Sequence, residues 1–510
     1  MRVGTASVMR KIDSCAINDI GIPGIVLMEN ASREVLNYLL ERFDDDFCII
    51  CSKGNNGGDG FSLARQLFVT GKRVEVFLVG GDQGMTSDCR TNYAAAKGCG
   101  IDIEKIDREK DIAKLTRSMD RCSLVVDAIF GTGLARDVEG IYGSCIDAVN
   151  EHPVPVVSID VPSGLDSDTG RVAGKCIKAD ATVTFELYKR GFINYKAREY
   201  CGEISVVKIG IPEKAVVEHH ECEYLLDAQM IRERLKIRSK YSHKGDFGRV
   251  LIISGSQGYS GAAYICTTSA VRTGSGLVTL ACEGSIRDAL SQRLTEAMTT
   301  SFEETEKLEG HIRRSDAIAI GPGMGNRSET LELLSNVLEN AECPLVIDAD
   351  GINVLSGNLE LLDSSQCEAV FTPHPGEMAR LTGYDTSYIE ENRREVAMDF
   401  ARNHGVTVLL KGYRTIITDG KQLYYNSTGS SAMASGGMGD CLTGMIASFI
   451  GQGYDVLTAA CLGAYIHGYA GEVLSEEMYS VNATHLIEKI PYAIKEIVDG
   501  TNEKDEGLEW

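Results

Sequence analysis

Short runs of β-branched and apolar residues alternate with amphipathic stretches along almost the whole chain, a pattern that predicts strands and helices in turn. In the first half, residues 47–51, 74–79, 124–127 and 156–160 read as strands, and 181–185 and 204–209 extend the series. Phe61, Ala64, Leu67 and Phe68 recur at helical spacing after the first strand and predict an inward-facing stripe, with Gly71 ending the helix. Strand, helix and strand in that order form a βαβ unit, and its repetition predicts a parallel sheet flanked by helices. Gly210-Ile211-Pro212 breaks the pattern, His219-His220 and charged residues follow, and a basic stretch runs from Arg232 to Lys244. Alternation resumes at 250–253, 277–281, 317–320, 345–347, 406–410 and 415–418. Leu442, Met445, Ile446, Phe449 and Ile450 then predict a helix directly after Asp440. The expectation is an α/β protein with two domains, residues 1–215 and 225–502, and no short-period repeat.

Composition narrows the function classes. A length of 510 residues exceeds one typical core, and 43% hydrophobic with 24% charged residues excludes disorder and fibrous classes. A formal net charge of −22 argues against nucleic acid or an anionic membrane as main partner, and no apolar stretch reaches the length of a membrane span. Sixteen scattered cysteines form no disulfide-like framework, and residues 1–13 lack the apolar run of a signal peptide, so a cytoplasmic location is expected. Cys48 and Cys51 have redox-motif spacing, but in a strand residues three apart face opposite sides, so core packing is the expectation. His219-His220-Glu221-Cys222-Glu223 has metal-ligand residue types, yet adjacent ligands without a second cluster chelate poorly, and the stretch reads as solvated linker.

Three loops of the first half follow strand ends, where open α/β sheets bind ligands. They are Asn55-Asn56-Gly57-Gly58-Asp59-Gly60, the loop from Asp127 to Asp137 with Gly131-Thr132-Gly133, and Asp160-Val161-Pro162-Ser163-Gly164. Each alone reads as a turn or helix cap. Together, Asn56, Asp127 and Ser163 offer an amide carbonyl, a carboxylate and a hydroxyl, a hard-oxygen set suited to a modest cation rather than zinc. These three motifs resemble the NAD(P)H-hydrate epimerase family over most of residues 1 to about 215. The resemblance implies a Rossmann-like, three-layer domain that interconverts the R and S forms of hydrated NADH or NADPH, with bound potassium (K+). It implies Asn56, Asp127 and Ser163 as potassium ligands. Asn55, Asn56, Gly57, Gly58 and Asp59, together with Gly131, Thr132, Gly133, Leu134, Ala135, Arg136 and Asp137, would line the substrate site. Asp160 would bind substrate and transfer the proton. The segment Glu186-Leu187-Tyr188-Lys189-Arg190-Gly191 keeps a lysine and a glycine but departs from the family's small-residue and proline pattern.

The second half carries a glycine-rich stretch, Ala434-Ser435-Gly436-Gly437-Met438-Gly439-Asp440, at the start of an expected helix. Unpaired amides and the helix dipole favour anions there, and glycine permits close approach and positive φ. Asp440 would face a substrate hydroxyl as its base. The structural alternative is a turn with Asp440 as helix cap. Gly321-Pro322-Gly323-Met324-Gly325 and Lys411-Gly412-Tyr413-Arg414-Thr415 also follow strands, the second concentrating two cations and a hydroxyl that complement phosphates. Thr372-Pro373-His374-Pro375-Gly376-Glu377 holds His374 between two prolines that restrict φ.

The order GPGMG, HPGE, KGYRT, GGMGD resembles the ADP/ATP-dependent NAD(P)H-hydrate dehydratase family, of ribokinase-like fold, from about Arg238 to Ala483. The resemblance implies Ala262, Gly325, His374 and Asp440 at the hydrated dinucleotide. It implies Lys411, Gly412, Tyr413, Arg414 and Thr415, with Gly439, at the nucleotide, and ADP with magnesium (Mg2+) as donor. Met324 stands where leucine is common. Phosphorylating the ring hydroxyl of the hydrate would turn a poor leaving group into phosphate, and a dehydratase that accepts one epimer needs an epimerase for the other. The competing reading is a ribokinase-like vitamin kinase with a non-catalytic N-terminal binding module, which would leave its phosphate on the product. Small-molecule partners are expected, and a homo-oligomer is compatible with the sequence.

Overall fold

A computed structural model describes residues 1–43, 46–134 and 136–501. Ala135 and the expected domain end at 502 lie outside the described residues. The chain divides into two compact units, Met1–Glu223 and the chain from Tyr224 onward. In the first, the strands are β1 (Val3–Gly4), β2 (Asp46–Cys51), β3 (Arg73–Val79), β4 (Ile103–Ile106), β5 (Leu124–Ala128), β6 (Val156–Ile159), β7 (Ala181–Phe185), β8 (Tyr188–Lys189) and β9 (Glu203–Val207). Seven of them form one sheet of order β4-β3-β2-β5-β6-β7-β9 with every neighbouring pair parallel, while β1 and β8 pair separately. Cys51 belongs to the apolar cluster on one side of this sheet and Cys48 to the cluster on the other, as strand alternation predicts. All sixteen cysteines are free thiols.

The remaining strands are β10 (Glu223–Leu225), β11 (Arg249–Ile253), β12 (Leu277–Cys282), β13 (Met298–Ser301), β14 (Ala317–Ile320), β15 (Leu345–Ile347), β16 (Ala369–Phe371), β17 (Thr407–Leu410), β18 (Ile416–Thr418) and β19 (Leu423–Tyr425). They form a sheet of order β10-β19-β18-β17-β16-β15-β14-β11-β12-β13. It is parallel from β17 to β13, and β17, β18 and β19 meander antiparallel at its other side. The architecture is therefore α/β in both units. Among the described residues no helix is long and apolar enough to cross a membrane.

Several local expectations are corrected. The NNGGDG stretch is not a loop before a helix but the first turns of the helix Asn55–Val69. Its glycines are demanded by packing: a Cβ on Gly57 would lie 1.8 Å from the Ser52 carbonyl oxygen, and one on Gly60 would lie 2.6 Å from Ala128 Cβ. Phe61, Ala64 and Leu67 are buried, but Phe68 is 44% exposed, one position off the inward stripe. Strand β6 stops at Ile159, because Asp160 takes a φ of 66° that no strand accepts. The linker read at 219–223 is partly structured: His219 ends the helix Glu213–His219, and the His220 ring lies 3.1 Å from the Val3 carbonyl.

Candidate functional site

In the first unit, the carboxyl ends of β2, β5, β6 and β7 assemble a polar cluster from the three expected loops. Asp127, on β5, is fully buried. Its Oδ1 accepts from Ser163 Oγ at 2.5 Å and the Ile129 amide at 3.2 Å, and its Oδ2 from Ser158 Oγ and the Ser163 amide, each at 2.8 Å. Burial raises its pKa, opposed by the hydrogen bonds from Ser163, Ser158 and Ile129. Ser163 Oγ also accepts from the Phe130 amide at 2.8 Å and lies 3.2 Å from the Phe130 carbonyl.

Asn56, buried in the first turn of its helix, and Asp160 both border Gly131. A Cβ on Gly131 would lie 3.3 Å from Asp160 Oδ2 and 3.4 Å from Asn56 Oδ1, so glycine there leaves the space between two polar groups open. Asn55 is exposed at the helix start, and Gly58 packs against Met28. Thr132, Gly133 and Leu134 form the turn beyond Gly131, and Arg136 and Asp137 are exposed on the same loop.

The positive φ of Asp160 turns its side chain toward Lys189. Lys189 is 1% exposed, and its ammonium lies 2.9 Å from Asp160 Oδ1. It also donates to Thr184 Oγ1 at 2.8 Å, the Phe185 carbonyl at 3.0 Å and the Leu187 carbonyl at 3.3 Å. A cation buried this deeply is held by a full set of acceptors, including one carboxylate. Two more carboxylates feel this pair. Burial pushes Asp59 well above the carboxylate range, with Asp160 and Asp13 adding to it. Burial and then Asp160 push Asp13 up to about 6.

Asp13 escaped the sequence reading. It lies on the helix Ala6–Ser14, far from every glycine motif, and only the β1–β8 pairing, with Gly4 opposite Lys189, brings that helix to the site. Lys189 carried a signal, a lone lysine just past a strand, although its surroundings depart from the family pattern.

In the second unit the glycine-rich stretch opens the helix Met438–Gly451, with Gly437 in the left-handed conformation at φ 88° as its N-cap. Gly439 and Asp440 therefore occupy the first helical turn, where amide N–H groups have no intrahelical acceptor. Burial first, then Asp348, pushes the Asp440 carboxyl up to about 6 against the pull of Lys411. A Cβ on Gly439 would lie 3.3 Å from Lys411 Nζ.

The residue that organises this centre, Asp348, was also missed. It follows β15 as Asp127 lies on β5, a carboxylate at the end of an apolar strand. Asp348 is 1% exposed, pairs with Lys411 Nζ at 2.9 Å and accepts from Thr443 Oγ1 at 2.6 Å. Burial opposes the charge on Lys411, but Asp348 and Glu377 outweigh it and hold the lysine above its ordinary range.

The GPGMG loop packs directly on this segment. A Cβ on Gly321 would lie 1.9 Å from the Asp348 carbonyl oxygen, and the Gly325 amide donates to Asp350 Oδ2 at 2.8 Å. Ala262 abuts the same loop, 2.9 Å from where a Cβ on Gly323 would stand, and Met324 is buried beneath it.

The groups expected at phosphates are largely engaged within the protein. Arg414 donates to the Ser427 carbonyl at 2.7 Å, Thr415 Oγ1 donates to the Gly412 carbonyl at 2.9 Å, and Tyr413 is exposed. A Cβ on Gly412 would collide with the Arg393 guanidinium, which itself donates to the carbonyls of Leu410 and Lys411. His374 caps the helix Pro375–Thr382: its Nδ1 accepts from the amides of Gly376 and Glu377 while Glu377 accepts from the His374 amide. Its ring is half exposed, with Nε2 3.4 Å from Glu377. His467, on the helix Val456–Ser475, hydrogen-bonds the backbone of Met438, and burial pushes its pKa down to about 4.

Known proteins share this arrangement of two units. Residues 250–492 match the NAD(P)H-hydrate dehydratase family, and residues 24–191 match the family described as YjeF-related protein N-terminus. The bifunctional NAD(P)H-hydrate repair enzyme Nnr of Moorella thermoacetica is 38% identical over 516 residues, covering 98% of this chain and 97% of that protein. Its counterpart in Escherichia coli is 32% identical over 470 residues, covering 92% and 88%. Among solved structures, a ribokinase-like superfamily protein of Enterococcus faecalis is 30% identical with a TM-score of 0.51, covering 54% of this chain and 97% of that one. With both parts matched and such identity across nearly the full length, the chain belongs to the family of bifunctional NAD(P)H-hydrate repair enzymes.

Proposed function

We propose that this chain repairs hydrated NADH and NADPH in two steps, epimerising the R and S hydrates in the first unit and dehydrating the S hydrate at the expense of a nucleotide in the second. The observation that carries this reading is the pairing of two unlike acid–base centres in one chain: Asp160 held by a buried lysine, and Asp440 beside the amides of a helix start.

For epimerisation, the reacting carbon bears both a hydroxyl and the ring nitrogen. Removing the hydroxyl proton lets the oxygen form a carbonyl as the bond from that carbon to the ring nitrogen breaks; the nitrogen takes the bonding pair and a proton, and its return to the other face of the carbonyl, with the protons restored, gives the other epimer. Asp160 takes the proton and Lys189 fixes the orientation of its carboxylate. Gly131 leaves the substrate room between Asp160 and Asn56. The oxygen set of Asn56, Asp127 and Ser163 fits potassium, because every hydrogen bond described for the buried Asp127 comes from a neutral hydroxyl or amide, leaving its charge for a cation to balance. Bound there, potassium would supply positive charge for anionic oxygens of the substrate.

For dehydration, Asp440 accepts the hydroxyl proton while the amides at Gly437–Gly439 face the charge on the transferring phosphoryl. The leaving phosphate is then expelled with help from the ring nitrogen, giving NADH or NADPH. With ADP as donor the products are AMP and phosphate. The carboxylates of Asp348 and Asp350 near Asp440 suit a hard cation, and Mg2+ held by them and the nucleotide would screen phosphate charge. Lys411 keeps its positive charge beside Gly439, the expected nucleotide contact.

The test mixes purified protein with epimeric NADH hydrate and ADP and follows the reduced-nicotinamide absorbance. Full return of that absorbance with stoichiometric AMP and phosphate supports the proposal. A phosphorylated product that persists would favour the vitamin-kinase alternative instead.

A further inference from the structure

Away from both centres, the fold brings together residues that the sequence separates by about two hundred positions. The Cys15 thiol, the Glu218 carboxylate and the His219 ring each place a ligand atom within 4.8 Å of the others. Cys15 is buried, His219 half-buried and Glu218 exposed, so the cluster opens to solvent on one side. Adjacent ligands at 219–223 chelate poorly by themselves; Cys15 supplies the second, remote arm that such a site needs.

Three structural features support a built site. Cys15 begins a π-helical turn, Cys15–Asp19, closed by the Ile20 amide donating to the Cys15 carbonyl at 3.0 Å. Wide turns of this kind recur at functional sites, and here the turn sets Cys15 and Asp19 on the rim of one cleft. Second, the His219 arm is anchored, because the neighbouring His220 ring reaches the Val3 carbonyl. Third, Cys15, Asp19 and His219 line an open cleft of about 360 Å3.

The geometry points to a divalent transition-metal site of zinc type formed by Cys15, Glu218 and His219, with the fourth position left to water. The donor set of one sulfur, one imidazole nitrogen and one carboxylate oxygen selects Zn2+ over the hard cations K+ and Mg2+. A tetrahedral zinc shell spaces its ligand atoms roughly 3.3–3.8 Å apart, so side-chain movements of about 1 Å close the site. The Cys15 thiolate and the Glu218 carboxylate together balance the charge of zinc, and the His219 imidazole binds as a neutral ligand. Binding releases the thiol proton to solvent and ties the helix Ala6–Ser14, which carries Asp13, to the helix Glu213–His219.

The experiment titrates chelator-treated, full-length protein with Co2+ and reads the thiolate-to-cobalt charge-transfer absorption, followed by displacement with Zn2+. One equivalent of thiolate-bound Co2+ in the wild type is expected, with the band lost in Cys15→Ser and affinity lowered by about tenfold or more in His219→Ala. Circular dichroism and hydrate repair, retained in both variants, exclude misfolding as the cause. Absence of the band in the wild type overturns the site. So does an unchanged band in Cys15→Ser, which would place the metal on exposed thiols such as Cys99 or Cys222, or undiminished affinity in His219→Ala.

Discussion

Replacing Asp440 by asparagine keeps the shape of the side chain and removes its charge, and the structure gives the price of that charge. An aspartate ordinarily titrates near 3.8, and burial with the nearby Asp348 moves Asp440 to about 6, a figure that already includes the attraction of Lys411. A folded-state pKa raised above the unfolded one means the unfolded chain releases its proton more readily. The resulting destabilisation is absent below about pH 3.8, grows as pH rises, and is complete above pH 6. Its upper bound at pH 7 is roughly 3 kcal/mol, falling to about 0.5 kcal/mol at pH 4. Asparagine must still find hydrogen-bond partners, so the expected gain for Asp440→Asn at pH 7 is about 1–3 kcal/mol, at about 2–4 °C of melting temperature per kcal/mol. The assay is thermal unfolding of wild type and variant at pH 7 and pH 4, alongside NADH-hydrate repair. A variant that is more stable at pH 7, within about 0.5 kcal/mol of the wild type at pH 4 and inactive fits the assignment. A variant that is less stable at pH 7, or that keeps activity, refutes the reasoning that Asp440 is a charge maintained for catalysis.

Further outcomes follow from the same structure. Lys189→Met removes one partner of a buried ion pair, which costs about 3–5 kcal/mol, and should stall repair of the R hydrate while leaving the S hydrate repaired; chemical denaturation and epimer-resolved chromatography check the two effects. Asp13→Asn should remove an inflection near pH 6 from the epimerisation rate, since burial and Asp160 push the Asp13 carboxyl up to about 6 and its charge acts on Asp160; an unchanged pH profile would remove Asp13 from the site. Gly57→Ala drives a methyl into the Ser52 carbonyl and should destabilise by about 2–3 kcal/mol with loss of epimerisation, measured by calorimetry and turnover. Asp348→Asn frees the Lys411 ammonium from its partner at 2.9 Å and should raise the KM for the nucleotide more than that for the hydrate.

The glycine-bearing motifs were legible in the sequence because each follows an apolar strand, and strand ends are where a parallel sheet presents ligands. Their conformations were less so. The NNGGDG stretch and the GGMGD stretch both look like flexible loops, yet the first is helix throughout, and its glycines answer to Ser52, Met28 and Ala128 rather than to a turn. Gly437 alone of the second stretch takes the positive φ that its glycine content suggested. Strands β4 and β13 escaped because they are not apolar runs: β4 carries Glu104 and Lys105 in its middle, and β13 reads Met298-Thr299-Thr300-Ser301. Asp13 reaches its centre only through tertiary pairing, which no local pattern encodes. Asp348 shows the opposite case: a carboxylate directly after an apolar strand was the signal used for Asp127, and the same rule applied at β15 would have found it.

The most direct measurement follows both epimers of NADH hydrate separately, with ADP, in wild type, Asp160→Asn and Asp440→Asn protein. The account predicts that the wild type consumes both, that Asp160→Asn consumes the S form and leaves the R form, and that Asp440→Asn regenerates NADH from neither. Equal consumption of R and S by Asp160→Asn, or NADH recovery by Asp440→Asn, would contradict it.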